Sequence, residues 1–226
     1  MRHFVSRITR RVRSSRHPAR RWSGEGDLRR RVYPSYEAYL SHQASKLSER
    51  RDTAERFNEA LRQHLPDRLA DLELAGAKVV CVAARLGGEV QVFRDRGAFA
   101  VGVDIEPGPG NPWVLFGDMH NLEQFADGVA DVVYCNSLDH AYDVAKVALE
   151  VQRLLAPSGV WIVEAMKDDG RVGDWEVTAW SNVDELITAI ERDTVLRAVP
   201  NHSHFDEPWP GEHIRFVIDG TMRPSS

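Results

Sequence analysis

A chain of 226 residues with 42% hydrophobic and 28% charged side chains can bury one substantial core, and is neither fibrous nor wholly disordered. No run of about 18 uninterrupted apolar residues exists, and the arginine-rich start lacks the apolar segment of a secretory signal, so a cytoplasmic protein is expected. The net charge of −5 hides an uneven distribution: residues 1–31 hold 11 arginines against Glu25 and Asp27, or +9, whereas the remainder carries 18 basic and 32 acidic side chains, or −14.

Residues 1–31 read as a basic, flexible arm. Its arginines suit phosphates or an anionic surface. No zinc finger, helix-turn-helix pattern or aromatic RNA-binding strand accompanies them, so nucleic acid is not the expected partner. Residues 32–75 read as a helical cap made of two helices, over 33–47 and 48–74. In the second, Phe57, Leu61, Leu65, Leu69 and Leu72 recur near helical spacing, and Pro66 is expected to interrupt it. In the first, Tyr36 and Tyr39 share a side, as do Tyr39 and Gln43. Such a helix laid over a cleft would exclude water, and Tyr39 is a candidate substrate contact.

From residue 76 to 226 short apolar runs alternate with helical stretches. The order is 77–83 then 88–96, 99–104 then the Pro/Gly loop 106–112, 130–135 then 141–155, and 159–165 then 181–192, with 213–219 as a last strand. This pattern predicts an α/β domain with a mainly parallel central sheet flanked by helices on both faces. Cys81 and Cys135 both sit at predicted strand ends, which gives no support to a disulfide framework or a cysteine zinc site.

The first strand runs into Ala83, Ala84, Arg85, Leu86, Gly87 and Gly88. Small residues let a ligand approach the backbone, glycine permits a tight turn, and the following helix offers free N–H groups. The segment is neither the GxxxxGK[ST] phosphate loop nor a clean GxGxxG turn, which disfavours an NAD oxidoreductase. Asp104 follows the second strand, where a carboxylate can accept both hydroxyls of a ribose.

Four segments in this order, VVCVAARLGGEV at 79–90, AVGVDIEPG at 100–108, GDMHNL at 117–122 and ADVVYCNSLDHAYD at 130–143, resemble the class I S-adenosylmethionine-dependent methyltransferases over roughly 77–165. The resemblance implies a Rossmann-like methyltransferase fold with S-adenosyl-L-methionine as cofactor. It implies that Ala83, Ala84, Arg85 and Gly87 pack against the methionine part, that Asp104 with Ile105 takes the ribose, that Asp118 with Met119 meets the adenine, and that Asn136 lies near the reactive end. Cys81 stands where the family has an aspartate, and Ala83 and Arg85 replace glycines. Arg85 is expected to pair with an acid such as Glu89 or to reach the cofactor carboxylate.

The implied activity is methyl transfer, and the candidate histidine bases and polar acceptor loops favour a hydroxyl of a small polar metabolite or saccharide as its acceptor. RNA or protein methylation, and a non-catalytic S-adenosylmethionine-binding regulator, are the alternatives. His140, after the fourth strand of the pattern, is the first candidate base because imidazole titrates near neutrality; a capping or packing role is the other reading. Asp139 would orient it or bind substrate. His202 and His204, two apart and so aimed to one side of a strand, are the other candidate bases, in a loop whose Trp209 would face an apolar ring surface. Asp139, Glu164, Asp168 and Asp169 near strand ends would suit Mg²⁺, but the ligand pattern of metal-dependent families is absent and no metal ligand is assigned. A homodimer is compatible with the chain, which gives no register for one.

Overall fold

The computed structural model describes residues 21–24, 28–166 and 173–220. Two short strands, β1 (Trp22–Ser23) and β2 (Leu28–Arg31), precede helices α1 (Tyr36–Glu49) and α2 (Arg51–Arg68). Ser35 starts α1 by accepting the Ala38 N–H, and Arg50 separates the two helices. Then follow β3 (Lys78–Val82), α3 (Gly88–Asp95), β4 (Phe99–Asp104), β5 (Val114–Phe116), β6 (Ala130–Cys135), α4 (Val144–Leu154) and β7 (Leu155–Met166). The chain continues through β8 (Thr178–Trp180), α5 (Val183–Asp193), β9 (Leu196–Ala198), β10 (Ser203–Phe205) and β11 (Gly211–Ile218). Asp143 and Asn182 cap α4 and α5 by accepting N–H groups one turn on.

The main sheet has the order β10-β11-β7-β6-β3-β4-β5, with β9 also on β11. Strands β3 to β7 pair in parallel and β11 runs antiparallel beside β7. The expected parallel sheet is therefore present, with a Rossmann-like reversal of strand order between β3 and β6. A crevice opens outside the carboxyl ends of strands at such a reversal. Alternation along the strands divides the core: Val80, Val82, Val133 and Trp161 face α4 and α5, while Val79, Cys81, Tyr134 and Ile162 pack with α2 and α3. Leu61, Leu65 and Leu69 join the second layer, so the cap helix α2 shares the core of the sheet.

The α2 C-terminus is also tied by charge. The Arg68 guanidinium donates to both Glu164 oxygens, at 2.6 and 2.9 Å, and Glu164 further accepts from the Tyr134 hydroxyl at 2.7 Å and His213 Nδ1 at 3.1 Å. Burial opposes the Glu164 charge, but His213, Arg68 and Tyr134 outweigh it and hold the carboxyl below its usual range. Arg215 adds a second fork onto Asp71, 2.6 Å to each oxygen.

The β3–α3 turn keeps a glycine-like backbone without its glycines. Ala83 (φ 59°), Arg85 (φ 42°) and Gly87 (φ 72°) are all left-handed, which costs a residue with a Cβ about 1–2 kcal/mol. Every second residue thus turns the chain back under the end of β4, where the Ala84 N–H meets the Val103 carbonyl at 3.0 Å.

Several expectations are corrected. Pro66 does not interrupt α2, which runs on to Arg68: the proline sits in the last turn, where buried Leu65 and Leu69 hold the helix on the sheet. The second helix starts at 51 and ends at 68 rather than spanning 48–74. The basic arm is not free throughout, since Leu28–Arg30 pair antiparallel with β8 and Arg31 is buried. Residues 1–20 of that arm lie outside the described residues. Strands β8, β9 and β10 are too short to rise above the helical and loop pattern around them.

Replacing Arg68 with Met strands the buried Glu164 carboxylate and is expected to cost about 3–5 kcal/mol, read as a shift in urea unfolding midpoint. Ala83→Gly removes the left-handed penalty but adds unfolded-state entropy, for a net gain of about 0.5 kcal/mol in the same assay.

Candidate active site

A cavity of about 370 Å³ lies at the carboxyl ends of β3, β4 and β6, beneath α1 and α2. Its floor is Ala83, Ala84, Arg85 and Leu86 from the turn, Asp104 and Ile105 from the end of β4, and Met119, Asn136 and Ser137 beyond. Asp104 is buried. Its Oδ2 accepts the Arg85 N–H at 3.0 Å, and its Oδ1 accepts the Glu106 N–H at 2.8 Å. Each oxygen retains a second lone pair. Burial raises the Asp104 pKa against the pull of Arg85, whose Nε stands 4.0 Å from Oδ2. Arg85 therefore turns to Asp104, and no ion pair joins it to Glu89 among the described residues. Glu89 also lines the cavity, and burial, with Asp104 and Glu164 adding to it, pushes its carboxyl up to about 8.

Two expected cofactor contacts lie elsewhere. Gly87 faces Asn111, whose Nδ2 would stand 2.2 Å from an added Cβ, and it lines a neighbouring groove rather than this cavity. Asp118 is consumed by a network that docks α1. The Tyr36 hydroxyl donates to its Oδ2, and His120 Nδ1 and N–H reach its Oδ1 at 2.8 and 2.9 Å. His120 Nε2 accepts the N–H groups of Tyr142 and Asp143, which assigns the ring proton to Nδ1. Burial works against the Asp118 charge, yet these donors hold its pKa below the usual range.

The roof comes from one face of α1 and its continuation into α2: Tyr39, Gln43, Lys46 and Arg50, then Ala54, Phe57 and Leu61. Tyr39 donates to the His140 carbonyl at 3.1 Å, and Gln43 Nε2 to the Trp175 carbonyl at 2.8 Å. The end wall is Trp175 and Glu176, in a strap pinned by Arg31, whose Nε and Nη2 donate to the carbonyls of Glu176 and Gly173 at 2.8 and 2.7 Å. Trp209 closes the opposite side, stacked on Phe57 with ring centroids 4.7 Å apart.

The histidine expectations are corrected. His140 lines the cavity, but Nδ1 lies 2.9 Å from the Trp175 carbonyl and so carries the proton, while Nε2 accepts from Lys46 Nζ at 2.7 Å. With both nitrogens engaged, and with burial and the Lys46 charge driving its pKa well down, the imidazole has no free lone pair for a substrate proton. Asp139 Oδ2 stands 3.6 Å from Nε2 and also lines the cavity; burial, reinforced by Glu176, raises its pKa to about 7 against the pull of Lys46. His202 and His204 lie outside the cavity, where both face Glu212 beside β10 at 3.8 and 3.5 Å. Glu164 is occupied by Arg68 and is not a metal ligand here; Asp168 and Asp169 lie outside the described residues. Among the described residues no group of three or more His, Cys, Asp or Glu is arranged to hold a metal ion.

Sequence reasoning missed Lys46, Arg50, Glu89, Trp175 and Glu176. Lys46 was within reach: it lies three residues beyond Gln43 and seven beyond Tyr39, on the helical face already singled out. Trp175 and Glu176 carry no periodic signal.

The cavity suits S-adenosyl-L-methionine. Five buried polar atoms on its lining residues lack a hydrogen-bond partner: Gln43 Oε1, Arg85 Nε, Trp175 Nε1, Glu176 Oε2 and Trp209 Nε1. Folded proteins leave few such atoms, so their concentration at one cavity marks a site completed by a polar ligand. Asp104 offers carboxylate lone pairs, Arg85 a cation, and Ala83 and Ala84 a small-residue approach.

Residues 80–163 match the family model described as a methyltransferase domain. No curated protein matches the chain. Among solved structures, 1,6-didemethyltoxoflavin-N1-methyltransferase of Burkholderia thailandensis is similar at 17% identity and TM-score 0.62, over 84% of this chain and 92% of that one. The putative methyltransferase complex with the Trm112 activator from Haloferax volcanii aligns at 14% identity and TM-score 0.66, over 80% and 99%. An S-adenosylmethionine-dependent methyltransferase of Mesorhizobium loti aligns at 15% and 0.54, over 70% and 99%. Residues 80–163 are thus similar to a methyltransferase domain, and the strand order is that of the Rossmann-like fold shared with these structures.

Proposed function

We propose that the protein methylates a hydroxyl group of a small polar metabolite, saccharides included. The observation that carries this reading is the partnerless polar set beneath a two-helix roof. Gln43 Oε1 and Glu176 Oε2 require hydrogen donors from a ligand, and Trp175 Nε1 and Trp209 Nε1 require acceptors. A hydroxyl is both. The stacked Phe57 and Trp209 give the same cavity an apolar face for a ring. A roof formed by α1 and α2 favours a small acceptor over a folded RNA or protein, and the acceptor named for the Burkholderia enzyme is likewise a small molecule.

When bound, S-adenosylmethionine supplies a methyl group already activated on a sulfonium sulfur. Asp104 would hold the ribose through its free lone pairs, with the Arg85 and Glu106 amides fixing the carboxylate. Arg85 would meet the carboxylate end, and Met119 and Ile105 would flank the base. The α1 face excludes water and aligns the acceptor, which supplies much of the rate in a reaction whose electrophile is already activated.

Asp104→Ala is expected to weaken S-adenosylhomocysteine binding about 10- to 100-fold, as the loss of hydrogen bonds to a charged group requires, measured by calorimetry. Unchanged affinity would remove Asp104 from the cofactor site. His202→Ala and His204→Ala are expected to leave methyl transfer unchanged. Incubation with methyl-labelled cofactor against a panel of polyhydroxylated small molecules, bulk tRNA and a protein extract is expected to label small molecules as methyl ethers; label confined to tRNA or protein would overturn the proposal.

A further inference from the structure

We propose that Lys46, anchored by His140, receives the acceptor's proton; this rests on the methyltransferase reading above. The geometry follows from the tautomer of His140. With its Nδ1 proton on the Trp175 carbonyl, Nε2 only accepts, so one Nζ–H of Lys46 is committed to it at 2.7 Å. An amine so held donates one hydrogen to the imidazole and has its lone pair free. Lys46 lines the same cavity as Ala83 and Asn136 on the floor and Trp175 and Glu176 on the end wall.

The surroundings make the neutral amine accessible. Lys46 faces Arg85 from the β3–α3 turn, Asp104 from β4, Asp139 and His140 from the short turn Leu138–His140, and Glu176 from the strap, with His42 one turn away on α1. No carboxylate among the described residues comes within ion-pair distance of its Nζ. Burial first, and Arg85 second, lower its pKa to about 8 against the opposing acids. As the acceptor oxygen bonds to the methyl carbon and the C–S electron pair stays on sulfur, the hydroxyl proton passes to the Nζ lone pair. The sulfonium charge reappears as ammonium, and the products are a methyl ether and a neutral thioether.

The test has two arms. The chain has four lysines, Lys46, Lys78, Lys146 and Lys167, so competitive labelling with trace acetic anhydride across pH, resolved by peptide mass, reads Lys46 in the unmodified protein. The expected midpoint is near 8, and an ordinary lysine midpoint would overturn the proposal whether or not an acceptor is known. In the second arm Lys46→Met and Lys46→Arg are assayed with the hydroxylated acceptor identified by labelled-cofactor screening. Both are expected to lower turnover about 10²- to 10⁴-fold, the range for a lost proton acceptor. Wild-type turnover is expected to climb with pH to a plateau above the Lys46 midpoint, and the variants to lose that climb. S-adenosylhomocysteine affinity should stay near wild type in both. Wild-type turnover in Lys46→Arg, or an affinity loss matching the activity loss, would overturn the role and assign Lys46 to cofactor binding. Failure of the wild-type protein to bind S-adenosylhomocysteine would instead overturn the methyltransferase reading, leaving the labelling result to stand alone.

Discussion

The fork between Arg68 and Glu164 sets the position of everything above the sheet. Leu61, Leu65 and Leu69 press α2 onto β3 and β6, but apolar contact is non-directional and tolerates sliding. A guanidinium bound through two nitrogens to a carboxylate fully enclosed by Tyr134 and His213 does not. Arg68 also donates to the Glu207 carbonyl and lies over the Phe205 ring, so the same side chain locates the loop that carries Trp209. Desolvating two ions is costly, and their mutual attraction offsets that cost only because every lone pair of Glu164 has a partner. The interaction is best understood as a fixed coordinate between roof and floor.

The floor shows a second economy. Class I domains commonly reach the tight β–α turn with glycines, whereas this chain reaches it with Ala83 and Arg85 in the left-handed region. Residues held there at a binding site are strain kept in place by the surrounding structure. The strain is matched by what Arg85 does: its amide holds Asp104, and its side chain supplies a positive charge at the cavity.

Much of the fold was legible because its strands are buried on both faces and its helices periodic, as at Val79–Val82 or Val144–Leu154. Asp104 follows a strand that the same pattern marks, whereas Met119 and Asn136 are reached only through the family resemblance. Asp118 and Gly87 did not behave as their motif positions implied, because the first is drawn to Tyr36 and His120 and the second to Asn111, partners distant in sequence. His140 illustrates the limit further: its residue type suggests a base, and only the carbonyl of Trp175 and the ammonium of Lys46 reveal that its nitrogens are spoken for. Pro66 reads as a breaker in isolation, yet the buried Leu65 and Leu69 beside it hold α2 on the sheet through the lost hydrogen bond.

The strap bearing Trp175 and Glu176 hangs from Arg31, which lies 145 residues earlier in the chain than the carbonyl it holds. Contacts of such separation close late, because the intervening loop entropy must be overcome before they form. During synthesis β2 has only β1 to pair with until β8 emerges, and the end wall of the cavity is completed only after that. One wall of the cavity is thus joined from stretches 145 residues apart, so its shape depends on both ends of the chain and not on the sheet alone.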